Sequence, residues 1–306
     1  MNIEFNNIKT ASAIPGAAAM IETFRAIGYS LETAVADIVD NSISASAKNV
    51  WINRIWKGGD SIITIRDDGH GMSGDEIIQA MRPGAQNPLI ERSATDLGRF
   101  GLGLKTASFS QCRTLTVMSK IQGQSPEFWT WSLDHVAQCD RWELIHWLPE
   151  GFEHELDDLA SGTIVIWTNP DRIIPATTKA ENDNAKRKFS EAFDRVKKHL
   201  SMTFHRFLEA KSVAIHWGGH EIDPWNPFCP KESKVQIMPS EQIGEQVTVK
   251  GYILPHKNNF SSETAYRQAE GIFGFSAHQG FYVYRGDRLL LAGDWLGLFR
   301  KEESYK

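Results

Sequence analysis

Asp37, Asp40, Asn41 and Ser44 recur at i, i+3, i+4 and i+7, a spacing that gathers all four on one face of a helix. Opposite them, Leu31, Ala34, Val35, Ile38, Val39 and Ser42 form an apolar repeat, so Leu31 to Ser44 is expected to be helical. A solvated face is the simplest use of such a stripe. Solvated faces, however, ordinarily carry Glu, Lys and Arg, whereas Asp, Asn and Ser are weaker helix formers. The stripe suits short oxygen ligands: a carboxylate beside a carboxamide oxygen can polarise water next to a Mg²⁺ ion, which takes hard oxygen donors and keeps several waters.

A second carboxylate lies at the end of a strand pattern. Asp67 shares its parity with Ile63 and Ile65, so if that face is buried its side chain points inward. An Asp-Asp-Gly turn is the plain alternative. A buried carboxylate needs donors; the exocyclic amine of adenine is one, and Gly69 and Gly71 would let a flat base approach the backbone. The third segment, Gly98 to Lys105, is rich in glycine but lacks the Lys directly after Gly103 that a Walker A loop requires. It also fails the dinucleotide fingerprint at Thr106. Gly69, Gly71 and Gly74 satisfy G-x-G-x-x-G, but Asp67 and Asp68 would repel a pyrophosphate. What remains is a glycine loop with Lys105 opening a helix, where N–H groups and an ammonium could both meet phosphate oxygens.

Elements that position these residues can be read around them. Gly16 to Ile27 is a small-residue helix, and Val50 to Trp56 and Ser61 to Asp67 form a hairpin closed by Lys57-Gly58-Gly59-Asp60. Ser73 with Glu76 is a capping box for a helix through Met81, ended by Pro83-Gly84. Arg82 to Arg99 lacks periodicity, and a loop of that length suits a functional lid. Arg113 to Lys120, Glu127 to Leu133, Arg141 to Trp147 and Thr163 to Thr168 read as successive strands of an antiparallel meander. Asn169-Pro170 and Pro175 mark a boundary. One long amphipathic helix, Ala180 to Ala210, then opens a second region that closes in a strand, turn and strand over Gly280 to Leu291.

Composition sets the limits. The 306 residues suffice for two modest domains, and 41% hydrophobic with 23% charged residues is ordinary for a folded chain. A net charge of -5 argues against a bulk basic surface for nucleic acid. Cys112, Cys139 and Cys229 form no C-x-x-C pair, and reduced thiols are expected. No apolar run approaches the roughly 20 residues of a membrane-spanning helix, so no membrane association and a cytoplasmic location are expected. His216 and His220 are expected to diverge on a strand and turn, the ten Trp to pack the sheet, and the basic residues of the long helix to be solvated.

Taken in order, these segments resemble the GHKL ATPases, the superfamily of gyrase B subunits, MutL, ninety-kilodalton heat-shock chaperones and sensor histidine kinases. Ala36 to Ile43 resembles the N-box, Asp67 to Met72 the first glycine motif, Gly98 to Thr106 the second, and Ser161 to Ile166 the closing Gly-Thr strand. Lys105-Thr106 and Gly280 to Leu290 are most similar to MORC-type ATPases and their bacterial relatives. The resemblance implies an α+β chain. A Bergerat-type two-layer sandwich, with a mixed, mostly antiparallel sheet and helices on one face, would span residues 1–175. A transducer-like α/β domain would span 176–306. It implies ATP and Mg²⁺ as ligands, with Asp37 as general base, Asn41 on the metal and Asp67 on the adenine amine, supported by Thr163. Gly98, Gly101, Gly103 and Lys105 would serve the lid and phosphates. Asp40, Ala45, Gly69, Gly71, Met72, Phe100, Leu102, Leu104 and Thr106 complete the expected ATP-binding set.

Two departures from the family pattern carry consequences. The base is typically Glu, and Asp37 is shorter by one C–C bond, about 1.5 Å, which implies slow hydrolysis or binding without turnover. The transducer lysine that meets the γ-phosphate is expected beyond Lys306. The implied behaviour is an ATP-dependent homodimer whose client is DNA or a DNA-processing protein, in a setting such as bacterial DNA restriction or defence.

Overall fold

The computed structural model describes residues 11, 13–26, 28–84, 103–271 and 274–298. Helices α1 (Ala17–Arg25) and α2 (Leu31–Ser44) precede the hairpin β1 (Asn49–Ile55) and β2 (Ile62–Asp67). Next come α3 (Gly74–Met81), α4 (Gly103–Phe109), β3 (Thr114–Lys120), β4 (Glu127–Ser132), α5 (Leu133–Cys139) and β5 (Gly162–Thr168). Helices α6 (Asp183–Thr203) and α7 (His205–Glu209) lead to β6 (Ala214–Trp217) and β7 (His220–Glu221). The expected capping box of α3 is present: Ser73 Oγ accepts from Glu76 N while the Glu76 carboxylate accepts from Ser73 N at 2.8 Å.

These strands form one mixed α+β sheet in the order β4-β3-β5-β2-β1-β6-β7, antiparallel except where β6 joins β1. The order corrects the expected meander. β5 inserts between β2 and β3, and its near-continuous burial from Gly162 to Trp167 is the pattern of a central strand covered on both faces. Arg141–Trp147 is not a strand; among the described residues only Ile145 bridges to Thr130. The chain leaves α5 through Asp140 in a left-handed conformation (φ 48°), which reverses it before Ile145 meets the β4 edge.

Alternate side chains divide the sheet. Ile63, Ile65, Leu115, Val117, Val165 and Trp167 face the helical layer, sharing a core with α2 and α6. Ile62, Met118, Ile164 and Ile166 face the other way and are covered by Phe152 and Leu156 from a turn-rich segment. Arg25 fixes α4 in the helical layer: Nη1 donates to the Phe109 and Cys112 carbonyls at 3.0 and 2.9 Å, and Nη2 pairs with Asp171 at 2.6 Å.

The core is continuous across the boundary expected at 175/176. Phe189, Phe193, Val196 and Leu200 of α6 lie in the same core as α2, and β6 extends the same sheet, so the core runs on to Ile222. The expected single helix over 180–210 breaks at Phe204 (φ -107°, ψ 15°), where β-branched Thr203 and aromatic Phe204 give weak helical support. Beyond Ile222, β8 (Gln236–Ile237) pairs with β11 (Tyr252–Ile253), and β9 (Glu241–Ile243) with β10 (Val247–Val249). Helix α8 (Glu263–Ala269) precedes the hairpin β12 (Phe281–Arg285) and β13 (Arg288–Asp294). Among the described residues beyond Ile222, the strands pair two by two. No helix of the described residues is long and apolar enough to cross a membrane.

Candidate functional site

β2 carries Ile63, Ile65 and Asp67 on the helical face, so the strand's parity delivers the carboxylate to the end of the core, where it is only 6% exposed. Asp67 Oδ2 accepts from Ser42 Oγ of α2 at 2.8 Å, and Oδ1 accepts from Gly69 N at 2.9 Å. Burial raises the Asp67 pKa, against the hydrogen bonds from Gly69, Ser42 and the Thr163 backbone that favour the ionised form. Across the ladder, Thr163 stands opposite Asp67 and shares its hydroxyl with Ser119 at 2.8 Å. Ser119 in turn accepts from Met72 N at 2.8 Å and donates to the Gly162 carbonyl at 3.0 Å.

Two glycines shape the floor. A Cβ on Gly69 would sit 2.8 Å from Ala45 Cβ and 2.9 Å from Asp67 Oδ1. Gly71 has φ 74°, and a Cβ there would fall 1.9 Å from the Lys120 carbonyl oxygen. Both positions therefore demand glycine, and the turn is pinned by His70 N donating to the Ala45 carbonyl at 3.1 Å. Ser42 and Ser119 are the residues that sequence reading left out of the site. Ser42 occupies a position of the apolar repeat, and its small polar side chain there was the signal available.

The α2 stripe runs alongside. Asn41 is exposed, Asp37 is half-buried, and Asp40 is buried. Asp40 is reached from the far end of the chain: Arg288 Nε of β13 donates to both Asp40 oxygens at 2.9 and 3.0 Å. Its guanidinium also lies over the Phe204 ring, 5.0 Å from the centroid. Burial raises the Asp40 pKa, with Arg288 opposing it. Removing one partner of a buried pair leaves an uncompensated charge. Arg288→Gln is accordingly expected to destabilise the fold by about 3 kcal/mol, measured as a lower urea midpoint at unchanged slope.

Asp37 faces the start of α4: a Cβ on Gly103 would lie 3.6 Å from Asp37 Oδ2. Burial raises the Asp37 pKa, while the neighbouring Tyr29 hydroxyl and the Arg288 charge hold it back. Tyr29 also interacts with Thr106, joining the second glycine-rich motif to the stripe. Leu104 packs at the rim of the core, and Thr106 is buried. Lys105 departs from the expected phosphate-facing pose. It is 2% exposed, its Nζ donates to the Ala80 carbonyl at 2.8 Å, and burial pushes its pKa down to about 8. It anchors α4 to α3 in this conformation. Gly98, Phe100, Gly101, Leu102 and most of the expected lid lie outside the described residues.

Other candidates resolve as packing. His216 pairs with Asn49 at 3.0 Å and stacks on Trp51, while His220 sits across the β6–β7 turn. Trp131 and Trp167 are buried, donating to the Met81 carbonyl and Ser108 Oγ.

The donor set fits a nucleotide. An inward carboxylate that accepts from Ser42 and Gly69 offers a further acceptor to a heterocycle with an exocyclic amine, beside a turn whose close backbone packing requires Gly69 and Gly71. Asn41 and the stripe supply the hard oxygen donors that suit Mg²⁺.

The comparisons give this geometry a class. Residues 29–163 match the family model described as histidine kinase-, DNA gyrase B-, and HSP90-like ATPase. This segment is a GHKL-type ATPase domain by that match, with similarity to the MORC type. ATPase morc-1 of Caenorhabditis elegans is 31% identical over 91 residues, 30% of this chain and 10% of that protein. The DNA mismatch repair protein MutL of Thermus aquaticus is 35% identical over 97 residues, 31% of this chain and 17% of that one. MutL of Paramagnetospirillum magneticum is 30% identical over 132 residues, 43% and 21% of the two chains. The chain thus spans between a tenth and about a fifth of the length of these relatives. Among solved structures, the ATPase and transducer domains of DNA topoisomerase II from Balamuthia mandrillaris align over 63% of this chain and 48% of that one. The TM-score is 0.42 and the identity 13%.

Proposed function

We propose that this chain binds Mg-ATP in the cleft between α2, β2 and β5, hydrolyses it slowly, and uses the bound state to switch conformation and dimerise. The observation that carries the reading is the Asp67 carboxylate, buried at the end of β2 and aimed at a floor of Gly69 and Gly71. Asp67 accepts the adenine amine, with Thr163 and Ser119 holding the far side; Ala45 and Met72 flank the base. Asn41 would hold Mg²⁺, which supplies charge neutralisation for the phosphates when bound. The motif resemblance assigns Gly98, Phe100, Gly101, Leu102 and Gly103 to the phosphates, and Lys105 joins them only by leaving the Ala80 carbonyl.

In the hydrolytic step, Asp37 takes a proton from water as the water oxygen bonds to the γ-phosphorus. The bond to the β–γ bridging oxygen breaks, releasing ADP and phosphate. Burial lifts the basicity of Asp37 toward the working pH, which suits a base. Because γ-phosphate contacts exist only in the ATP state, they can favour one arrangement of the lid over another. DNA or a DNA-bound protein is the client, a reading supported by the MutL relatives being mismatch repair proteins. Nucleotide-gated assembly without turnover is the competing reading, favoured by the short Asp37 side chain.

The pH dependence tests the assignment of the base. Asp37 must be ionised to act, so phosphate release should fall tenfold per pH unit below its pKa. The midpoint should lie above the ordinary Asp value of about 3.9, because burial raises it. Steady-state phosphate release measured across the acid limb checks this; a rate independent of pH there would remove Asp37 from the step.

A further inference from the structure

Away from the nucleotide cleft, His135, Cys139 and Glu143 bring one nitrogen, one sulfur and one oxygen to a single point, their ligand atoms all within 4.8 Å of one another. His135 and Cys139 are four residues apart on α5 and so share one face of the helix. The left-handed Asp140 then reverses the chain and returns Glu143 over that face, with Glu143 Oε2 3.4 Å from His135 Nε2. Around a tetrahedral ion with zinc bond lengths of 2.0–2.3 Å, ligand atoms stand about 3.3–3.8 Å apart. The His135–Glu143 separation already meets that, and the Cys139 thiol lies within 4.8 Å of both.

The supporting residues hold this arrangement from three directions. Ser132 caps α5 by accepting from His135 N at 3.3 Å. Asp140 Oδ1 accepts from Ala18 N at 2.9 Å, fixing the reversal to α1. Ile145 exchanges two backbone hydrogen bonds with Thr130, each 2.9 Å, fixing the segment beyond Glu143. Arg141 Nη1 holds Glu143 Oε1 at 3.1 Å, which leaves Oε2 facing the imidazole, the kind of outer contact that orients a metal ligand.

We propose that His135, Cys139 and Glu143 form a zinc site, with the thiolate and carboxylate balancing the charge of the ion and a water completing the fourth position. Mixed nitrogen, sulfur and oxygen donors in this spacing select Zn²⁺ over the hard cations, which take oxygen alone. His135 and Glu143 also line a groove of about 1130 Å³ bounded, among the described residues, by Phe24, Trp129, Trp131 and Trp142. Bound zinc would clamp α5 to the segment that follows it and, through Asp140, to α1.

The full chain, free of affinity tag and reduced, should bind one equivalent of Zn²⁺ in a chelator-competition titration. Co²⁺ in its place should give a thiolate-to-metal absorption band in the near ultraviolet. Contacts in the outer sphere alone are worth 10–100-fold in affinity, so loss of a ligand in Cys139→Ser or His135→Gln should weaken Zn²⁺ by at least about 100-fold. The cobalt band should vanish in Cys139→Ser and persist in Cys229→Ser. All three side chains are partly exposed, so these variants should fold, checked by circular dichroism, and Asp67→Asn should keep the zinc affinity whatever becomes of ATP binding. Absence of stoichiometric binding, or binding that survives both Cys139→Ser and His135→Gln, would overturn the proposal and mark any bound zinc as adventitious.

Discussion

Asp67→Asn should raise the Kd for ATP about 100-fold, equivalent to about 2.7 kcal/mol and within the range for a hydrogen bond to a charged group, without weakening the fold. The Asp67 carboxylate is the buried acceptor this reading gives the adenine amine, and a carboxamide held by Ser42 and Gly69 offers the base at best a neutral acceptor and at worst an opposing N–H. The stability half follows from linkage. Burial raises the pKa of Asp67 in the folded state, so its contribution is favourable below the unfolded value and is lost as pH rises through the folded one. At neutral pH the ionised side chain is therefore a cost to folding, and Asp67→Asn should melt at the same temperature as the parent or higher. Scanning calorimetry beside a nucleotide titration separates the two effects. A variant that loses ATP because it unfolds would contradict this account of the residue, as would one that keeps full ATP affinity.

For Asp37→Asn the expected pattern is reversed between binding and turnover. A positioned general base contributes about 10²- to 10⁴-fold, so phosphate release should fall by that factor while ATP affinity stays essentially unchanged, because the proton transfer exists only in the transition state. Asp37 is half-buried, beside Tyr29 and facing Gly103. The carboxamide keeps its size and leaves those neighbours in place. Single-turnover phosphate release and equilibrium ATP binding, measured on the same preparation, give the two numbers. A parent chain without turnover would favour the nucleotide-gated assembly reading instead.

Much of the site could be read before any coordinates because short-range patterns dictate it. The parity of Ile63, Ile65 and Asp67 follows from the two-residue repeat of a strand, and it placed the carboxylate inward as found. The α2 repeat gave the helix its observed ends, and Ser73 with Glu76 gave α3 its cap. The features that escaped are set by long-range packing. Nothing local to Thr163–Thr168 says that β5 slides between β2 and β3, although its unbroken apolar run identifies a central strand once that pattern is given weight. Arg288 meets Asp40 across 248 residues, and Ser119 reaches Met72 and Thr163 from a strand whose pairing no periodicity fixes. The continuity of the core past Pro175 escaped for the same reason. Proline and turn residues mark where an element ends, whereas the sharing of one core by α2, α6 and β6 depends on where the chain returns.

Isothermal titration of the chain with ATP, in Mg²⁺ and again with the metal chelated, tests the central claim most directly. One ATP bound per chain, more weakly once Mg²⁺ is removed and far more weakly in Asp67→Asn, is the predicted result. A chain that is folded by circular dichroism yet takes up no ATP in the presence of Mg²⁺ would contradict it.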